Sequence, residues 1–267
     1  MTPYTATAQA DLDVRNARFW DELCGSVMAR RLGITDASAE SLARFDAAYF
    51  GRYPYLEQYL PARLDGETVL EVGLGYGALA SALVRRGADY HGVDIAPGPV
   101  RMVRHRIGLA GVESAERRIR QGSALELPHP DARFDRVYTI GCLHHTGDIP
   151  RAVDEVRRVL RPGGTAVVML YHSHSLRRFV KVTLPALLRR RRSEDQVAAM
   201  YDTNRAGEAA PLVEYVSRRD VRRLFRAFSE VRIDVRNFDD TRFIKRRWML
   251  GTVDRLLGVD LYVTAVR

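Results

Sequence analysis

Lysine is nearly missing from this chain. Only Lys181 and Lys245 occur, so almost all of the 42 basic residues are arginine and the formal net charge of +9 is an arginine charge. Such a skew is explained more simply by genome composition than by selection for phosphate contacts. No nucleic-acid-binding motif accompanies it, so nucleic acid is not expected as a partner. Cysteine is scarce too: Cys24 and Cys142 are the only two, with neither a C-x-x-C pair nor a metal-ligand spacing. That excludes a disulfide-stapled scaffold and a thiolate zinc site, and it fits free thiols in a reducing compartment. No apolar run approaches the ~20 residues that span a bilayer. The stretch from Met1 to Ala10 is polar and lacks the apolar core of a secretory signal. A cytoplasmic protein without stable membrane insertion is therefore expected. There is no internal repeat and no long low-complexity segment.

What is present is enough for one large folding unit: 267 residues, 46% hydrophobic and 28% charged. Residues 9–31 read as one amphipathic helix, with Leu12, Phe19, Leu23, Val27 and Met28 on or near one face. Thr35 or Asp36 starts a second helix that runs to Phe50, the segment 51–55 breaks it, and a third follows from Tyr55 to Leu60. From Thr68 strands and helices alternate. Strands are expected at 69–72, 90–93, 117–121, 134–140 and 165–171, with helices at 78–86, 100–109 and 151–160 between them. That alternation implies right-handed βαβ units and a parallel sheet. It stops after Tyr171. Residues 172–216 read as an irregular, partly helical insertion, followed by a helix over 218–228, a strand over 231–235, a helix over 244–257 and an antiparallel terminal strand over 261–266.

The chemistry concentrates where the first strand, Val69-Leu70-Glu71-Val72, runs into Gly73-Leu74-Gly75-Tyr76-Gly77 and then a helix. Closely spaced glycines let the backbone turn tightly and let a ligand lie against it. The helix that follows offers free N–H groups and a partial positive charge. Asp94 ends the second strand, where a carboxylate can accept from both hydroxyls of a ribose. This alone leaves a dehydrogenase and a methyltransferase open, since Gly73 to Ala78 also satisfies the looser dinucleotide pattern, and a purely structural glycine turn would look the same.

Further segments add to it: Glu71 just before the glycines, Leu127-Pro128-His129-Pro130-Asp131-Ala132-Arg133-Phe134-Asp135, Gly141-Cys142-Leu143-His144-His145-Thr146, and Arg158-Val159-Leu160-Arg161-Pro162-Gly163-Gly164. With these, residues 68–172 resemble the class I S-adenosylmethionine-dependent methyltransferases in order and spacing. Phe19 to Gly25 and Phe50 to Leu56 resemble its bacterial small-molecule branch. The resemblance implies an α/β fold: a Rossmann-like sheet of seven strands, the last antiparallel, with an N-terminal helical cap and an insertion after the fifth strand. The corresponding division is a cap over 1–64 and a cofactor-binding domain over 65–267, with an acceptor lid at about 172–216. The implied cofactor is S-adenosylmethionine, with S-adenosylhomocysteine as product. Glu71, Gly73, Gly75 and Gly77 would form its first loop, Asp94 would hold the ribose and Ile95 would pack on the adenine. Ile140 and Gly141 would line the methionine side, and Tyr53 and Tyr55 would close from the cap. The family has an acidic residue near position 123; here Ser123 and Ala124 stand instead, a departure that leaves the adenine contact to the serine hydroxyl or the backbone.

Methyl transfer needs a base only if the acceptor must lose a proton. His144, His145 and His172 are the candidates, since histidine titrates near neutrality; a structural hydrogen bond is the plainer reading of His145 and His172, whereas the resemblance favours His144 as the base, its motif position facing the substrate side in related enzymes. His174 lies close by, but the four histidines fit no zinc-ligand spacing, so no metal is expected. Tyr201, Asp202, Asn204 and Tyr215 lie where the family places acceptor contacts. The run Arg189-Arg190-Arg191-Arg192 reads either as a solvated helix end or as a lid for an anionic small-molecule acceptor or anionic lipid. A secondary metabolite is the favoured acceptor, methylated on oxygen, nitrogen or carbon. A homodimer is compatible with the sequence, and so are two other functions, a nicotinamide-dependent oxidoreductase and a non-catalytic cofactor-binding module.

Overall fold

The computed structural model describes residues 5–22, 25–188, 192–238 and 246–267, with Arg247 as backbone only. Helix α1 (Ala6–Trp20) starts where the Thr5 side chain accepts from the Ala8 N–H. Helix α2 (Ser26–Arg31) begins after Gly25, whose φ of 101° cannot continue a right-handed helix. The single helix expected over 9–31 is thus two, with Leu23 and Cys24 outside the described residues. Helix α3 (Ala39–Arg52) starts three residues later than expected. The Asp36 carboxylate instead accepts from the backbone and hydroxyl of Ser38, and Ser38 Oγ caps the helix through Ser41 N–H. A 3-10 turn (Pro54–Tyr59) completes this region.

The sheet is built as β1 (Thr68–Val72), α4 (Ala78–Arg85), β2 (Asp89–Asp94), α5 (Pro97–Leu109), α6 (Ala115–Arg118), β3 (Ile119–Gln121), β4 (Phe134–Ile140), α7 (Ile149–Val159) and β5 (Leu160–Tyr171). Among the described residues seven strands lie in the order β3-β2-β1-β4-β5-β7-β6, where β6 is Glu230–Arg236 and β7 is Asp260–Val266. Only β7 runs antiparallel to its neighbours, as expected. Successive strand residues point to opposite faces, and both faces are covered. Leu70, Val137, Val168 and Val263 join one apolar core with α7. Their sequence neighbours Val69, Tyr138, Val167 and Tyr262 join the other with α4 and α5. Strands buried on both faces need helices on both sides, which the βαβ crossovers supply. The Pro162-Gly163-Gly164 turn, expected before β5, is a kink inside it, with Gly163 at φ 78° and the β4 register shifting alongside.

The insertion opens with α8 (Leu176–Arg178), a π-helical turn (Phe179–Thr183) and α9 (Leu184–Leu187), and later forms α10 (Glu194–Ala198). Of the arginine run, Arg192 is exposed and Arg189 to Arg191 lie outside the described residues. Helix α11 (Arg218–Leu224) carries a capping box from Ser217 and Asp220, and ends before Phe228 because Phe225 and Phe228 turn into the core. The helix expected over 244–257 is two single turns, α12 (Arg246–Met249) and α13 (Asp254–Leu257), parted at Gly251 with φ 83°; positions 244 and 245 lie outside the described residues. Among the described residues no helix is long and apolar enough to cross a membrane.

One buried pair away from the sheet's C-terminal edge sets an acid limit. His91 and His129 pack edge to face at 5.9 Å against Phe134, beside the Arg133 guanidinium. Burial first, then the Arg133 charge, pushes His91 down to about 4 and His129 down to about 3. Both are therefore neutral when folded, whereas the unfolded chain takes up these protons near pH 6.5. Their contribution is complete above that pH and is lost as pH falls toward 4. We expect the thermal midpoint to drop between pH 6.5 and 4.5, and the drop to shrink in His91→Gln/His129→Gln. Parallel pH slopes for the two proteins would assign the acid limit elsewhere.

Candidate active site

The C-terminal ends of β1, β2 and β4 open onto a cleft of about 1050 Å³, counting the space open to solvent at its mouth. Its floor is the glycine turn. Gly73, Gly75 and Gly77 have φ of 84°, 52° and 82°, a region that residues with a Cβ rarely occupy. Space forbids a side chain as well. A Cβ on Gly73 would lie 2.5 Å from Cys142 Cβ, and one on Gly77 would lie 2.7 Å from Arg106 Cδ. The loop is tied across the sheet edge by Asp94, whose Oδ2 accepts from Leu74 N–H at 2.7 Å and whose Oδ1 accepts from Ala96 N–H at 2.8 Å. Burial pushes Asp94 up to about 6 against the pull of those amides. Glu71 is buried, accepts from the Tyr90 hydroxyl at 2.6 Å, and is pushed up to about 8, chiefly by burial.

Glu71, Gly73, Gly75, Gly77, Asp94, Ile95, Ser123, Ala124, Ile140 and Gly141 all line the cleft. Ser123 is engaged locally, its Oγ accepting from Leu125 N–H at 3.2 Å. Tyr53 and Tyr55 do not line it. They lie a layer behind, Tyr53 packed on Tyr49 at 5.2 Å and Tyr55 on Tyr262 at 5.6 Å. The aromatic wall comes instead from Phe45 and Tyr49 of α3 and from Tyr76 of the loop, with Phe45 stacked on Tyr76 at 4.1 Å. Behind them Arg106 spans to Asp46 at 2.9 Å and stands over both rings, fixing α3 to the glycine loop. Leu42, Phe45 and Asp46 form a buried stripe at spacings of three and four, which the half-buried Tyr49 extends four residues after Phe45. That stripe could have pointed to this wall.

The histidines separate. His144 is fully buried and does not line the cleft; its ring lies 4.0 Å from that of Tyr171. His172 is buried elsewhere, with Nδ1 3.1 Å from the Gly258 carbonyl. The exposed His174 pairs with Ser173 Oγ. Of the three candidate histidines only His145 lines the cleft, and His144 and His172 are placed away from it. The 3-10 turn Leu143–His145 rotates each successive residue by about a third of a turn, and this brings the second histidine to the cleft. The turn is held by remote segments. Asn16 of α1 donates to the His145 carbonyl at 2.8 Å, Glu214 N–H donates to the His144 carbonyl at 2.8 Å, and Trp20 packs on the His145 ring at 4.8 Å.

His145 Nδ1 lies 2.6 Å from the Leu212 carbonyl. A carbonyl can only accept, so Nδ1 carries the proton and Nε2 keeps its lone pair when the ring is neutral. Nε2 is 3.7 Å from Asp202 Oδ2, and the Tyr171 hydroxyl lies 3.0 Å from the same oxygen. Burial lowers the pKa of His145 while the Asp202 charge opposes it; Asp202 is itself raised by burial. Tyr201 and Tyr215 gather around Tyr171 at 5.0 and 6.2 Å, whereas Asn204 is half-buried and bonds Glu208. Arg177 stands 4.8 Å over Tyr201 and Arg178 stands 4.1 Å over Tyr215. Asn16 and Asp202 take part through chain separations of more than 50 residues, which no local pattern reveals.

Comparison with known proteins agrees with this architecture. Residues 70–168 match the family described as "Methyltransferase domain". The chain is 36% identical over 135 residues to a fatty-acid O-methyltransferase of Mycolicibacterium smegmatis, covering 50% of this chain and 46% of that one. It is 37% identical over 115 residues to a demethylmenaquinone methyltransferase of Tropheryma whipplei, covering 43% and 45%. The chain thus spans under half the length of the curated relatives it matches. Among solved structures, an S-adenosylmethionine-dependent methyltransferase from Thermotoga maritima superposes with a TM-score of 0.55 at 18% identity, over 82% of this chain and 88% of that one. Another from Mesorhizobium loti gives 0.53 at 21%, over 81% and 97%. These likenesses are of fold.

Proposed function

We propose that this chain is a class I S-adenosylmethionine-dependent methyltransferase that methylates an oxygen, nitrogen or carbon atom of a small molecule, a reading supported by the match of residues 70–168 to the methyltransferase-domain family. The observation that carries the reading is the cleft itself, a tight left-handed glycine loop buttressed by Asp94 at the C-terminal edge of the sheet. The donor set fits the cofactor. Aromatic and aliphatic walls suit an adenine, and Asn16 Oδ1 and His145 Nε2 are buried at the cleft without hydrogen-bond partners. When bound, S-adenosylmethionine supplies a methyl group activated by a sulfonium. Glu71 and the glycine loop would hold the amino-acid portion with Ile140 and Gly141. Asp94 would take the ribose, and Ile95, Ser123 and Ala124 the adenine. His145 is the proton acceptor of this reading, with Asp202 stabilising its charged form. Arg178 has a buried Nη1 without a hydrogen-bond partner, which favours an anionic acceptor. The names of the relatives are those of small-molecule enzymes. A secondary metabolite in the cytoplasm is the acceptor and setting we infer, with the chain dividing functionally into a cap over 1–64, a cofactor domain and an acceptor lid.

The test is calorimetric titration with S-adenosylhomocysteine, with NAD in parallel, followed by isotope transfer from methyl-labelled S-adenosylmethionine. Binding of the first ligand alone is the expected result; binding of NAD alone would overturn the reading. Asp94→Ala should weaken S-adenosylhomocysteine by about 1.5–3 kcal/mol, roughly 10–150-fold, as charge-assisted hydrogen bonds are lost. An unchanged titration would move the ribose away from Asp94.

A further inference from the structure

We propose that the helical segment from Leu176 to Leu188 docks this protein on the surface of an anionic lipid bilayer, an inference that does not depend on the methyl-transfer reading. The segment runs through α8, the π-helical turn and α9 without interruption. Pairs spaced by four residues, 179/180, 183/184 and 187/188, fall on one side of such a helix. That side faces solvent: Phe179 is 51% exposed, Val180 49%, Leu184 41%, Leu187 72% and Leu188 66%. A contiguous apolar face of this kind on a folded protein marks an interaction surface.

The charge around it selects the occupant. No acidic residue occurs between Glu155 and Glu194, whereas Arg177, Arg178, Lys181 and Arg189 to Arg192 all fall within that stretch. Arg177 and Arg178 turn inward over Tyr201 and Tyr215. Lys181 lies at the edge of the apolar face and is exposed, and Arg192 is exposed beyond it. The other three arginines enter as sequence charge alone. An apolar face with a cationic border is what an interfacial helix presents: leucines enter the headgroup boundary and cations meet anionic lipid. A nucleic acid would find one ring, Phe179, rather than a series of stacking rings, and a single hydroxyl, Thr183, on an otherwise aliphatic face. A second copy would bring the same cations against themselves.

The experiment is co-sedimentation of the full chain with vesicles of equal parts phosphatidylglycerol and phosphatidylcholine, and with phosphatidylcholine alone. Binding to the anionic vesicles only, lost in high salt, is expected. Leu187→Ser/Leu188→Ser and, separately, Lys181→Glu should each lower the bound fraction at fixed lipid by about tenfold, with unchanged thermal midpoints because these side chains are exposed. Three results would overturn the proposal. The chain fails to bind anionic vesicles at low salt. Binding proves indifferent to the leucine changes, which leaves general Coulombic adsorption. Or the leucine changes convert a dimer to a monomer without affecting vesicles, which gives the face to a second copy.

Discussion

Gly73→Ala is expected to lower stability by about 2–5 kcal/mol, from a backbone share of ~1–2 kcal/mol for a left-handed φ and an overpacking share of ~1–3 kcal/mol. The two shares have separate origins here. Gly73 holds φ at 84°, and its Cβ would lie 2.5 Å from Cys142 Cβ and 2.9 Å from its sulfur. Core atoms in contact cannot yield by an ångström without moving the β4 end that carries Gly141 and the His145 turn. The cleft should therefore lose S-adenosylhomocysteine affinity together with stability. Adding Cys142→Gly removes the atoms that collide and should recover the packing share, leaving the backbone share. Chemical denaturation of the three variants reads both. A Gly73→Ala protein with parental stability would show that the loop relaxes freely, and the account of why glycine stands there would fall.

His145→Ala is expected to reduce methyl transfer by about 10²–10⁴-fold, the usual worth of a positioned base. Cofactor affinity should stay within a few-fold, because Asp94 and the glycine loop are untouched. His144→Ala should act through stability, since that ring is fully buried and packs on Tyr171. The pH profile carries the sign. Burial lowers the His145 pKa, so the neutral, proton-accepting form persists through neutral pH and the rate falls only on the acid side of histidine's ordinary range. Asp202 raises that pKa, so Asp202→Asn should move the acid limb to still lower pH while slowing the plateau. A rate that His145→Ala leaves unchanged would mean an acceptor that needs no base.

Regular elements of the sheet were legible because each is fixed locally. The strand expected over 134–140 coincides with β4 from end to end, and the glycines, Asp94, Ile95 and Ile140 meet because strands β1, β2 and β4 finish at one edge. Register is set by burial on both faces, which the sequence states residue by residue. What was not legible depends on tertiary contact. The first helix ends at Trp20, and Gly25 opens the second through a positive φ that any glycine can take but need not. Tyr53 and Tyr55 look as suitable for the cleft as Phe45 and Tyr49, and the choice is made by where α3 ends and how Arg106 pins it. His144 and His145 are adjacent, and a single 3-10 turn exchanges their environments. The pairing of His145 with Asp202 depends on the insertion folding back over the sheet, which no spacing in the chain announces.

The sheet order also has a consequence for the growing polypeptide. β7 lies between β5 and β6, so it is the partner of two strands that leave the ribosome before it. Roughly 90 residues separate the end of β5 at Tyr171 from the start of β7 at Asp260, which at about 5–20 residues per second is a wait of several seconds or more. Throughout it, β5 offers an unpaired hydrogen-bonding edge flanked by buried-type side chains, the kind of edge that recruits strands from other chains. When β7 arrives it closes β5 and captures β6 in one step, and Arg267 fastens the junction by exchanging backbone hydrogen bonds with Gly163 and Gly164. Nascent chains of this protein are therefore most exposed to co-translational aggregation, and most in need of a chaperone, during the interval between the synthesis of β5 and that of β7.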